Sequence, residues 1–79
     1  MRNATDDDRT MYLALKQGEG RLAALVKDKS RAVRSAFDLW LAGHGSGPSF
    51  EEIRKWEQLQ TLEEAARARI DALVMDLFR

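Results

Sequence analysis

The sequence predicts an all-α protein, a long antiparallel helical hairpin that completes a helical bundle by self-association. Three observations predict it. Alanine, leucine, glutamate, lysine and arginine dominate, with proline only at position 48, which is the residue set of highest helix propensity. Apolar residues recur at spacings of seven, four and three over two long stretches. A single glycine-rich segment separates those stretches.

Taken from the N-terminus, the stretch 1–8 is acidic and apolar-poor, and residues 1–5 of it are expected to be disordered. Thr5-Asp6-Asp7-Asp8 supplies an N-cap followed by carboxylates facing the positive helix end, with Asp8 in the capping-box place. The first helix is predicted over about 6–42. Gly18 and Gly20 each cost about 1 kcal/mol against alanine in a helix interior, so a bend, fraying or a break is expected near 18–20. Gly43 suits the left-handed position that ends a helix, and 43–49 is the connector. Ser49-Phe50-Glu51-Glu52 repeats the capping pattern after Pro48, with Glu52 placed to reach back to the backbone. The second helix is predicted over 50–78.

In the first helix Leu15, Leu22, Val26, Val33, Ala36 and Trp40 fall on one stripe, and in the second Leu59, Leu62, Ala66, Ile70, Leu73 and Leu77 do. A connector this short makes the two helices antiparallel neighbours. If Ala42 and Phe50 flank a tight turn, facing residues sum to about 92. That register sets Ala36 against Trp56, Val33 against Leu59 and Val26 against Ala66. It also sets the two charges that interrupt the stripes, Lys29 and Glu63, opposite each other, so a Lys29–Glu63 structural ion pair is predicted across the seam.

Composition narrows the function classes. With 79 residues and no cysteine, the chain has room for one domain, 1–79, and no disulfide or thiolate zinc site to support a small core. Lys+Arg and Asp+Glu both number 13, so no net field draws nucleic acid or an anionic membrane. No apolar run approaches the ~20 residues that span a bilayer, and the N-terminus lacks the apolar stretch of a signal peptide. A cytoplasmic protein of bacterial or phage origin is expected, with no membrane partner, no cofactor and no metal.

Candidate sites are few. Gly43-His44-Gly45-Ser46-Gly47 before a helix N-terminus has the outline of an anion-binding turn, but lacks the preceding strand and the lysine of a phosphate loop. A plain connector is the expectation, and His44 has no second ligand near it in sequence. Lys27, Arg31 and Arg34 line up one and two turns apart, with Asp38 extending the row, and are read as a solvated face. Glu51/Glu52 and Glu63/Glu64 are helical neighbours pointing about 100° apart and make no catalytic dyad. Phe37, Trp40, Phe50 and Trp56 gather toward the connector, and Ile53, Trp56, Val74 and Phe78 make a second stripe on the second helix. This is more apolar surface than two helices cover.

The predicted protein-interaction residues are therefore Phe37, Trp40, Phe50, Ile53, Trp56, Val74 and Phe78. The expected function is a non-enzymatic protein-protein interaction module, a small inhibitor, antirepressor or adaptor whose partner is a copy of itself or another protein. One alternative is a nucleic-acid regulator using Lys27, Arg31 and Arg34. Another comes from likeness: the helix, glycine-rich turn and Trp56-Glu57-Gln58-Leu59-Gln60 segment resemble the small helical-hairpin co-chaperones that hold needle subunits in type III secretion. The resemblance covers about half the chain and implies a hairpin that holds a partner subunit.

Overall fold

A computed structural model describes residues 3–78. It contains two helices and a connector, α1 (Asp6–Leu41) and α2 (Phe50–Leu77), arranged as one antiparallel hairpin 59 Å long and about 17 Å across. Both helices end within a residue of the sequence prediction. Met1, Arg2 and Arg79 lie outside the described residues, and Thr5 is the N-cap of α1 rather than part of a disordered start.

The caps show why the helices begin and end where they do. Thr5 Oγ1 accepts from the Asp8 N–H at 3.1 Å, and the Thr5 N–H donates to Asp8 Oδ2 at 2.9 Å, a complete capping box. At α2 the Ser49 hydroxyl accepts from the Glu52 N–H, but the return arm predicted for Glu52 is not formed. α1 closes with the Gly43 N–H bonded to the Trp40 carbonyl and the His44 N–H to the Leu39 carbonyl. Gly43 has φ +84°, as this Schellman arrangement requires.

α1 is helical throughout Gly18 and Gly20. A Cβ placed on either glycine meets nothing within 4 Å, so close packing against α2 does not account for them. Burial of the seam holds the helix across a stretch whose propensity alone disfavours it.

Most half-buried and buried positions follow an alternation of four and three, Asp8, Tyr12, Leu15, Glu19, Leu22, Val26, Lys29, Val33 and Ala36 on α1 and Glu52, Trp56, Leu59, Glu63, Ala66, Ile70, Leu73 and Leu77 on α2, with Gly18, Ala23, Ser30, Ile53, Gln60 and Val74 half-buried beside them. This is the heptad seam of a two-helix coiled coil. Its register differs from the predicted one. Arg67 approaches Glu19, and Val74 and Phe78 share a cleft with Tyr12 and Asp8; each of these pairs sums to 86, about one heptad from 92. The connector is the cause. Instead of turning tightly after Ala42 it folds back along α1, bringing Gly47 against Trp40, where a Cβ would stand 3.4 Å from Trp40 Cβ and Cγ. Gly47, at φ +80°, is needed for its backbone conformation, while a Cβ there would come into van der Waals contact with Trp40. α2 therefore starts alongside Ala36.

Candidate protein-interaction surface

At the middle of the seam the most enclosed side chains are Val33 at 6%, Glu63 at 8% and Ala66 at 9% exposure. A carboxylate in that company needs a partner. Arg67, one turn along α2, provides it: its guanidinium donates to Glu63 Oε1, with the Nε arm at 3.2 Å, and its Nε lies 3.8 Å from Glu19 Oε1 on α1. The hydrogen bond that Arg67 donates to Glu63 and then the charge of that carboxylate raise the Arg67 pKa above the usual arginine value, with smaller contributions from Glu19 and Glu64. The predicted Lys29–Glu63 pair is not the one formed. With the register displaced by a heptad, Lys29 instead lines a groove with Lys55, Gln58, Leu59 and Leu62, while Glu63 satisfies its charge on its own helix.

Outside this midsection, apolar side chains are left uncovered. Val33 and Ala66 are the only buried hydrophobic residues among those described, against eleven large hydrophobics that are exposed. The predicted interaction residues divide between the two ends of the molecule. At the connector, Phe37, Trp40, Phe50 and Ile53 line a recess of about 330 Å³ with Gly47 and Pro48. Phe37 and Trp40 stack at a tilt of 41° with ring centroids 5.7 Å apart, and Phe50 is 89% exposed. At the open end, Val74 and Phe78 line an apolar cleft of about 630 Å³ with Tyr12, Leu13 and Leu77. Trp56 belongs to neither group: it is half-buried near the seam, and its indole N–H is closed from solvent without a hydrogen-bond partner. No single patch unites the seven residues.

Sequence reading missed a third region, and it set Leu62 and Trp40 on the seam stripes although both are exposed. Met11, Leu25, Leu39 and Leu62 are all exposed, and the first three are members of an α1 row with a spacing of seven. The signal that reveals this row is the same heptad period, one position N-terminal to the seam residues Tyr12, Val26 and Val33. A stripe drawn for one face of a free helix merges the row with the seam, and only the observed pairing separates them.

The remaining candidates take plain structural roles. Two connector N–H groups, those of Gly43 and His44, are used by the Schellman bonds, and the Ser49 hydroxyl is used by the α2 cap. Lys27, Arg31 and Arg34 border a shallow groove with Ser30, Ser35 and Asp38 on the outer face of α1. Among the described residues no group of three or more His, Cys, Asp or Glu side chains converges as a metal site, and no helix is long and apolar enough to cross a membrane. Comparison with models of protein families, with curated proteins and with solved structures found no match.

Proposed function

We propose that this chain is a protein-protein interaction module, an adaptor or inhibitor that works by burying its surplus apolar helix surface against a protein partner, a second copy included. The observation that carries the reading is the inversion of burial: two hydrophobic side chains enclosed and eleven large ones exposed, aromatics among them. Exposed apolar area on this scale marks binding surfaces, and Trp and Phe are effective anchors there. The two ends offer distinct footholds, a tilted Phe37–Trp40 pair beside Phe50 and an apolar cleft ending in Phe78. An isologous assembly and a heterologous complex draw on the same resource.

The test is affinity capture of the tagged chain and of Phe50→Glu and Phe78→Glu variants from extracts of its native cells, with sedimentation of the purified protein in parallel. The expected result is a stoichiometric protein species with the unaltered chain, either itself or another protein. For a heterologous partner, at least one charged variant should lose it. A chain that sediments as a folded 9.0 kDa monomer at tens of micromolar and retains no protein would overturn the reading.

A further inference from the structure

We infer that the occupant of the exposed α1 flank is a second copy of this chain, packed antiparallel about a two-fold axis at Leu25. The inference rests on the interaction-module reading and names its partner. The α1 row beside the seam is Met11, Gly18, Leu25, Ala32, Leu39, alternately large and small. It is a size palindrome centred on Leu25: Met11 with Leu39, Gly18 with Ala32 and Leu25 with itself each sum to 50. A two-fold contact demands this property, since residue i must suit residue j and residue j must suit residue i. The glycine at 18, unexplained by packing within the hairpin, falls where the partner's Ala32 approaches.

Charge agrees with size. Arg21 and Asp28 lie on the outer side of this row, one turn before and about one turn after Leu25, and both are exposed without an ion-pair partner among the described residues. Their numbers sum to 49, so in the antiparallel arrangement Arg21 of each copy comes level with Asp28 of the other. A parallel arrangement would set like charges together. α2 contributes at the same level. Leu62 immediately precedes Glu63 as Leu25 precedes Val26, which puts both leucines on the same flank of an antiparallel heptad pair. They sum to 87, close to the hairpin register, so two leucines per chain surround the axis.

Area sets the scale. The hairpin exposes 6277 Å², whereas a compact protein of this mass exposes about 4,900 Å². The excess of roughly 1,400 Å² per chain exceeds the ~800 Å² that each partner buries in a standard stable interface. Seam plus one flanking row is also the pattern of a helix in a four-helix bundle, wider than a two-helix coiled coil needs. Two hairpins joined through their α1 flanks form such a bundle.

The absence of cysteine makes the arrangement directly readable by disulfide trapping. Leu25→Cys is expected to form a covalent homodimer under mild oxidation. Met11→Cys and Leu39→Cys should each cross-link poorly alone and efficiently when mixed, because only the antiparallel pairing brings 11 to 39. Sedimentation should give twice 9.0 kDa for the unaltered chain, and Leu25→Glu should weaken the dimer at least about tenfold, with circular dichroism showing that the helices persist. A dimer that resists trapping at Leu25, or that traps Leu39→Cys with itself, would overturn this face or its orientation while leaving the interaction-module reading intact. A folded monomer that captures a different protein would overturn the second-copy assignment alone. A folded monomer that captures nothing would overturn both.

Discussion

The middle of the hairpin and its connector end handle their side chains in opposite ways. In the middle a carboxylate, Glu63, is among the three most enclosed residues and is neutralised by Arg67. At the connector, Phe37, Trp40 and Phe50 are exposed. A self-contained domain does the reverse, enclosing aromatics and hydrating carboxylates. In this contrast the enclosed carboxylate is paired within the chain while much of the apolar surface is left uncovered. Polar groups demand a specific partner at short range, so a hairpin can settle them internally, whereas apolar area needs a third layer that two helices do not provide.

The contrast yields graded expectations, all readable in urea unfolding of the purified chain. Trp56→Ala, beside the seam, should cost about 3 kcal/mol, while Phe50→Ala at the connector should stay within about 0.5 kcal/mol. Equal losses would erase the distinction between the two regions. Glycine gives a second contrast. Gly47→Ala must place a side chain at positive φ and against Trp40, and should cost about 1–2 kcal/mol. Gly20→Ala, in the helical middle with open space around it, should instead stabilise by about 0.5–1 kcal/mol. A stabilising Gly47→Ala would mean that the connector does not lie back on α1.

The charged cluster sharpens the comparison through a cycle of variants. Arg67→Met should lower the unfolding midpoint by stranding Glu63, and adding Glu63→Leu should restore it, because an apolar pair replaces a buried ionic one at little loss. If Arg67→Met had no effect, Glu63 would have to be finding another partner, and Lys29 would be the first to test. The smallest expected effect is at Lys29 itself: Lys29→Leu should stabilise by a few tenths to about 1 kcal/mol, since it extends the apolar seam and leaves no carboxylate unpaired.

Helix positions, N-caps and most of the seam stripes, Trp40 and Leu62 excepted, were legible in the sequence because each depends on neighbours within a turn or two. Thr5, Ser49, Gly43 and the four-three alternation carry that information locally. The register was not legible, and the heptad explains why. Sliding one helix by seven residues returns each seam position to an equivalent one, so Val26 finds an apolar partner at Ala66 or at Leu59 alike. What distinguishes the two registers is the path of the connector over Trp40 and the reach of Arg67 to Glu19, neither of which periodicity encodes. The opposition of Lys29 and Glu63 belongs to the 92 register alone, since a slide of about one heptad sets Lys29 near the level of Trp56 instead. The candidate surface was legible at its aromatic ends and not along the Leu25 row, whose period coincides with that of the seam.

The fold-back of the connector also bears on the order in which the molecule assembles. Contacts near Gly47 and Trp40 close a loop of a few residues, whereas the cleft shared by Tyr12 and Phe78 joins segments separated by most of the chain. Closure entropy grows with that separation, so pairing propagates from the connector outward and the open end is the last to form and the first to fray. The apolar cleft at Phe78 is thus the part of the hairpin most often open to exchange with solvent, and amide protection along α2 should decline toward Leu77.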